Sequence, residues 1–222
     1  MSSFLNIINN RHCQRAFLSD PLSTELIESV LSASLQAPSS KNTQPWNVAV
    51  VQGASRDRLS DQLCNAFDSG HPLSPDYSYS FDPLPPLFKQ RAQDCGYGLF
   101  KHKGIDRSDY EARRLSMREN FTFFNAPLIM IFHMVAGAER GQFLDMGLFM
   151  QSVMLGLSSV GYGSCPQFSI ACYPDIIRSV LSIDSSQWII AGLSVGIADP
   201  SSSINSYRPD RESMNELIRF YG

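Results

Sequence analysis

The stretch PLIMIFHMV, residues 127–135, is almost continuously apolar. A run of this kind is typical of a strand covered on both faces, so it predicts the centre of a sheet. Two more apolar runs, WNVAVV at 46–51 and WIIAGLSVGI at 188–197, are short and rich in strand-forming residues, and they predict two further strands.

Helical patterns separate these strands. Residues 22–36 place apolar side chains at helical spacing, and we expect Asp20 to cap this helix and Pro38 to lie beyond its end. Strands separated by helices predict an α+β or mixed α/β domain in three layers. Further helices are predicted at 4–9, 55–67 (capped near Ser55), 88–102, 107–121, 142–160 and 174–182.

The composition narrows the class of protein. A chain of 222 residues predicts one domain, 1–222, and a 43% hydrophobic content excludes a disordered chain. The net charge is −3 and the Lys and Arg residues are scattered, which argues against a nucleic-acid partner. We expect no membrane partner, because no apolar run reaches the roughly 18–20 residues that span a bilayer. The N-terminus lacks the features of a signal peptide.

The cysteines and histidines indicate a reduced compartment without a metal. Five cysteines that form no CxxC pair are unlike a disulfide framework, so we expect a cytoplasmic protein. The four histidines lie far apart in the sequence, which predicts no protein metal site.

Two segments depart from the regular pattern. Residues 69–103 begin with a proline- and aromatic-rich stretch that predicts a long excursion of a kind that is often functional. The arm at about 200–222 is polar and ends in an apolar patch, so we expect it to dock, for example on another subunit. The patch consists of Leu217, Ile218, Phe220 and Tyr221.

The familiar motifs of hydrolases and dehydrogenases do not fit. GLSVG at 192–196 matches the letters of a nucleophile elbow but lies inside a predicted strand. Gly161 and Gly163 follow a helix instead of a strand, and the chain contains no GxGxxG or Walker A loop.

Two polar clusters remain as candidate sites. In RHCQR, residues 11–15, the two arginines either converge on one anion such as a phosphate or are solvated at a helix edge. The loop PSSKNTQPW, residues 38–46, either addresses the polar edge of a heterocycle or simply connects a helix to a strand.

Together these clusters resemble the FMN-dependent nitroreductase family. The resemblance extends through Asn-Ala-Pro at 125–127 and DMGLFMQSVMLGLSSVGYGSC at 145–165 to the two arginines after the last strand. It implies an α+β fold with a central, mainly antiparallel sheet flanked by helices. It also implies an intertwined homodimer with FMN at the interface, in which the C-terminal arm reaches the partner subunit.

The resemblance further implies a ping-pong oxidoreductase. NADH or NADPH would donate a hydride to the flavin N5, and a nitroaromatic or quinone acceptor would then take it at the same place, without a catalytic side chain. Many members have Ser at the position of Cys13, and a thiol is a weaker donor, so this contact is expected from the backbone. The FMN-binding residues that the resemblance implies are Arg11, His12, Cys13, Arg15, Pro38, Ser39, Ser40, Asn42, Asn120, Pro166, Gln167, Arg208 and Arg211.

Other interpretations stay open at this stage. The fold also supports dehalogenation, flavin destruction and azoline oxidation, and a non-catalytic FMN-binding redox module would show the same motifs. Aromatic side chains of the excursion either line the acceptor pocket or pack the excursion onto the core. These aromatic residues are Tyr77, Tyr79, Phe81, Phe88 and Tyr97.

Overall fold

The computed structural model describes residues 3–79 and 83–222. A four-stranded sheet with the order β1-β2-β4-β3 lies at its centre, and each neighbouring pair of strands is antiparallel. The strands are β1 (Asn47–Gln52), β2 (Leu128–Val135), β3 (Gly163–Gln167) and β4 (Gln187–Gly196). The helices are α1 (Phe4–Asn10), α2 (Thr24–Ser34), α3 (Gly53–Asp68), α4 (Pro86–His102), α5 (Tyr110–Arg118), α6 (Arg140–Ser159), α7 (Pro174–Leu181) and α8 (Met214–Leu217).

Strand β2 is buried on both faces, as its apolar sequence predicts. Ile129 and Ile131 pack in a cluster with α3 and α7, whereas Met130 and Phe132 pack in a second cluster with α2 and α6. This alternation gives the sheet a layer of helices on each side. The predicted α+β class and antiparallel sheet are therefore confirmed.

The sequence patterns missed strand β3. Its residues, GSCPQ, include a glycine and a proline and show no apolar alternation. Among the strands in the described residues it pairs only with β4, so it forms the outer strand of the sheet, where Pro166 is tolerated. The prediction of three strands is corrected to four within the described residues.

Two predicted helix starts are also corrected. Helix α2 is capped by Ser23, whose hydroxyl accepts a hydrogen bond from the Leu26 N–H, and not by Asp20. Helix α3 begins at Gly53, directly after β1, and not at Ser55. Gly53 has a φ of 57°, a conformation that glycine adopts without strain and that turns the chain from strand to helix.

The described residues of the excursion before α4, 71–79 and 83–85, are irregular, and the first of these two stretches is anchored to the sheet. The Asp76 carboxylate forms a bidentate ion pair with Arg178 at 2.8 and 3.1 Å and also accepts the Ile189 N–H at 2.8 Å. Both charged side chains are largely buried, so this pair holds the neighbouring Tyr77 beside β4.

The described ranges contain no helix with both the length and the apolar character that crossing a bilayer requires. After β4 the chain turns through 203–206 and ends in the C-terminal arm. The apolar side chains of this arm are exposed, with exposed fractions of 84% for Phe220 and 94% for Tyr221.

Candidate functional site

The first predicted cluster lies along the outer edge of β3. Helix α1 ends at Asn10, and the extended chain after it brings Cys13 into a parallel bridge with Ser164. The Gln14 N–H donates to the Ser164 carbonyl oxygen at 3.1 Å. This approach requires Gly163, because a Cβ there would lie 2.7 Å from the Gln14 Cγ. The Arg11–Arg15 segment is thus fixed against the sheet.

Asn205 clamps this segment to the chain beyond β4. Its Oδ1 accepts the Arg15 N–H at 2.7 Å, and its Nδ2 donates to the Ala16 carbonyl oxygen at 2.8 Å. Its own carbonyl oxygen lies 2.7 Å from Nε2 of His12, whose Nδ1 lies 2.7 Å from the Asn10 carbonyl oxygen. His12, one of the predicted binding residues, therefore contacts backbone carbonyl oxygens with both of its ring nitrogens.

A third arginine, Arg208, contacts the chain next to the Arg11–Arg15 segment. Nη1 of Arg208 donates to the Asn10 carbonyl oxygen at 3.2 Å, next to Arg11 in the chain. Arg211 instead donates hydrogen bonds to the carbonyl oxygens of Pro209 and Asp210 and to no other residue in the described ranges. Within residues 3–79 and 83–222, neither Arg208, Arg11 nor Arg15 forms an ion pair with a carboxylate. We call these three residues the arginine cluster, and its uncompensated charge favours an anionic ligand.

The Cys13 thiol lies within the field of this cluster. A hydrogen bond with the Cys165 thiol and the positive charges of Arg15 and Arg11 outweigh burial and lower the pKa of Cys13 to about 6. The same hydrogen bond, together with burial, raises the pKa of Cys165 well above its ordinary value. The nearby arginines therefore favour a thiolate at Cys13 over one at Cys165.

We expect Cys13 to react with iodoacetamide at low pH in the protein without a bound ligand. Because the thiolate is the nucleophile, the alkylation rate should rise with a midpoint near pH 6 and level off by about pH 8. Mass-spectrometric peptide mapping measures this rate. Cys13→Ser should abolish the low-pH labelling, whereas Cys64→Ser should retain it, because burial raises the pKa of Cys64. Labelling that still rises steeply above pH 8 would contradict the assignment.

The second predicted cluster, the loop 38–46, docks on helix α6. The Ser40 N–H donates to both carboxylate oxygens of the buried Asp145, at 3.2 and 3.3 Å. Ser39 Oγ accepts the Gln44 N–H at 3.0 Å, and both Asn42 and Gln44 have positive φ values. The loop is thus held in a defined shape while most of its side chains stay exposed.

The predicted residues Asn120 and Gln167 contact each other. Nε2 of the buried Gln167 donates to the Asn120 carbonyl oxygen at 2.8 Å, and its Oε1 accepts a hydrogen bond from the Ser194 hydroxyl. Because both ends of the Gln167 side-chain amide form hydrogen bonds within the chain, Gln167 can contribute to a ligand site mainly through its backbone. The neighbouring Pro166 lies on the same outer edge of β3.

A cavity of about 720 Å³ opens at the end of β3. Its walls include Tyr79, which stacks on Phe168 with ring centroids 4.1 Å apart, and Tyr77, whose hydroxyl donates to the Ile190 carbonyl oxygen at 2.7 Å. Burial raises the pKa of Tyr77, so its phenol stays protonated. Pro166 and Gln167 also line this cavity, which we call the aromatic cavity.

The aromatic residues of the excursion do not all reach the aromatic cavity. Tyr77 and Tyr79 line it, as one interpretation of the sequence predicted. Tyr97 instead lies under the Arg107 guanidinium, 4.7 Å from the ring centroid, in a separate and smaller cavity. Phe88, on α4, is not among the lining residues, and Phe81 lies outside the described residues.

Sequence reasoning missed three residues that organise the site. Asn205 fixes the arginine cluster, Asp145 holds the loop, and Arg140 lines the aromatic cavity. Asp145 appears in the sequence analysis only as the first residue of the motif at 145–165, and Asn205 belongs to an unremarkable polar stretch, SINSYR. Their roles depend on contacts with segments far away in the sequence, so no local pattern could have identified them.

The antiparallel sheet, with an arginine cluster and an aromatic cavity along the same edge strand, defines an α+β domain suited to an anionic aromatic cofactor. The chain belongs to the nitroreductase family: the model of the "Nitroreductase family" matches residues 8–197.

Individual relatives are similar over nearly their whole length. The chain is 35% identical to a 4-nitrobenzoate reductase from Pseudomonas putida, over 97% of this chain and 94% of the relative. It is 33% identical to a chloronitrobenzene nitroreductase from Comamonas testosteroni, over 97% of this chain and 95% of that relative. Among solved structures, the FMN-dependent nitroreductase NfnB from Mycobacterium smegmatis in complex with NADPH is 31% identical, with a TM-score of 0.94 over 98% of this chain and 97% of that chain.

Proposed function

We propose that the protein is an FMN-dependent oxidoreductase that takes a hydride from NADPH or NADH and reduces nitroaromatic or quinone acceptors in a ping-pong cycle. The observation that carries this proposal is the arginine cluster: Arg11 and Arg15 place positive charge near the Cys13 thiol, and Arg208 contacts Asn10, next to Arg11 in the chain. None of the three has a carboxylate partner among the described residues. A dianionic phosphate beside an aromatic ring system matches this cluster and the adjacent aromatic cavity. The names of the relatives support the same reaction.

The chain's own residues bind and orient the cofactor. Arg11 and Arg208 hold the phosphate, and Cys13 contributes its backbone. Arg15 places a positive charge beside the pyrimidine edge, where it favours uptake of electrons. When bound, FMN accepts and donates the hydride at its N5 atom, so no catalytic side chain is required.

The outer edge of β3 positions the reactive ring. Beyond the bridge between Cys13 and Ser164, the outer edge of β3 has no strand partner among the described residues, so backbone groups near Pro166 and Gln167 remain available to the flavin. The aromatic cavity then accepts the nicotinamide and the acceptor in turn. Its rings exclude water and stack on flat substrates.

A homodimer completes this site. The single chain exposes apolar side chains on α1, α6 and the C-terminal arm, with exposed fractions of 63% for Phe4 and 66% for Leu144 beside Phe220 and Tyr221. Apolar surface of this extent favours an interface. The exposed loop residues Pro38, Ser40 and Asn42 and the half-buried Ser39 then contact the FMN of the partner subunit.

The proposed location is the cytoplasm. All five cysteines are free thiols, which supports a reduced compartment.

A flavin titration tests the function. The purified protein is expected to show the yellow flavin spectrum, to bleach on anaerobic addition of NADPH or NADH, and to regain its colour with nitrobenzene or a quinone. Stable FMN without bleaching would instead indicate the binding module, and a protein that cannot take up FMN would contradict the proposal. Sedimentation equilibrium on the same sample is expected to give twice the 24.7 kDa chain mass.

A further inference from the structure

The mouth of the aromatic cavity carries two charged side chains that the reaction itself does not require. Glu139 and Arg140, at the start of helix α6, are the charged residues among the described residues that line it. The remaining walls are mainly aromatic and apolar, with Trp188 and Phe143 among them. In such surroundings, water screens a charge on a ligand less than it does at an open surface.

The two charges are not equally available to a ligand. Glu139 is the N-cap of α6, where the positive end of the helix dipole partly compensates the charge of its carboxylate, and the Gln142 N–H donates to its backbone carbonyl oxygen at 2.9 Å. The Glu139 N–H donates to Oε1 of Gln142 at 2.9 Å. Arg140, in contrast, forms no hydrogen bond or ion pair with any residue that the structure describes. Among the described residues that line the cavity, Arg140 is therefore the cation available to a ligand.

We propose that Arg140 selects nitroaromatic acceptors that carry a carboxylate on the ring. This inference rests on the proposed reductase function and names the substrate class of the same site. The guanidinium fork binds a carboxylate through two parallel hydrogen bonds. The ring of the acceptor lies among the aromatic side chains, Tyr79 and Phe168 among them, and its nitro group faces the flavin.

Two acceptors of nearly equal shape distinguish the effect of the acceptor's charge from the effect of its size. 4-Nitrobenzoate and 4-nitrobenzamide differ mainly in the charge of the group para to the nitro group. Their intrinsic reactivities differ, but this difference cancels when the ratio of their kcat/KM values is compared between variants. We expect Arg140→Gln to lower the benzoate-to-benzamide ratio about five- to tenfold, through loss of activity with the benzoate.

Two further variants serve as controls. Glu139→Gln removes the neighbouring negative charge but keeps an oxygen that can cap α6, so the ratio should rise by about twofold. Arg107→Gln changes an arginine in a different cavity and should leave the ratio unchanged. Added salt should lower the ratio of the wild-type protein and have little effect on that of Arg140→Gln.

The outcomes distinguish this inference from the proposed function. If Arg140→Gln reduces both acceptors with the wild-type ratio, Arg140 does not select carboxylates, although the reductase function stands. If the variant instead raises the KM for NADPH relative to NADH and leaves the acceptor ratio unchanged, the arginine binds the nucleotide phosphate and the inference is overturned. If the wild-type protein binds FMN but reduces neither acceptor, the proposed function itself fails.

Discussion

Replacing Arg11 with alanine is expected to weaken FMN binding by about 10- to 150-fold. The reason is the loss of a charge-assisted hydrogen bond to the phosphate, which contributes about 1.5–3 kcal/mol. Both the sequence motif and the structure indicate Arg11 as a phosphate-binding residue. Its charge acts on Cys13, and Arg208 contacts the neighbouring Asn10. Fluorescence titration of the FMN-free protein with FMN measures the change in Kd.

Three further variants make this result specific. Arg208→Ala should weaken FMN binding to a similar degree, and Arg211→Ala should have a smaller effect, because Arg211 contacts only neighbouring carbonyl oxygens. Arg107→Ala, remote from the arginine cluster, should bind FMN normally. Because a bound ligand stabilises the folded state, saturating FMN should also raise the Tm of Arg11→Ala less than that of the wild type. Normal FMN affinity in both Arg11→Ala and Arg208→Ala would rule out a phosphate site at the arginine cluster.

Replacing Phe132 with alanine is expected to lower the free energy of unfolding by about 3–5 kcal/mol. Phe132 is fully buried at the centre of β2, and its ring packs edge-on against Phe149 at 6.1 Å between centroids. Phe149 in turn stacks on Trp46 at 4.8 Å. The truncation leaves a cavity between the sheet and α6 that these large rings cannot close. Urea unfolding, followed at one protein concentration with saturating FMN, measures the loss.

Val135→Ala provides the matched control on the same strand. Val135 ends β2 with 54% of its surface exposed, so its truncation should change the free energy of unfolding by no more than about 0.5 kcal/mol. Equal effects of the two substitutions would show that the centre of β2 is not the core of the folded protein.

The fold was predictable where the chain shows a periodic pattern. The apolar run at 127–135 identified the central strand, and the amphipathic spacing at 22–36 and 142–160 located two helices of its flanking layer. Strand β3 was not predictable, because GSCPQ has no strand pattern and becomes a strand only when β4 offers its free edge. The cap of α2 was not predictable either, because Asp20 and Ser23 lie close together and both residue types cap helices.

The candidate site was likewise predictable only in part. Local sequence was sufficient to single out Arg11, Arg15 and the loop 38–46, because closely spaced polar groups already indicate their binding capacity. Their arrangement depends on Asn205 and Asp145, each of which contacts a segment more than a hundred residues away in the chain.

The sequence by itself therefore determined which groups can form strands, helices and polar contacts, since these properties depend on a residue and its near neighbours. Only the tertiary structure decided that Arg208 and not Arg211 joins the arginine cluster, and that Arg140 reaches the aromatic cavity. The physical reason is that contacts between distant segments form only when the whole chain is ordered. Their energy then depends on the shape of the assembled core and on no local pattern.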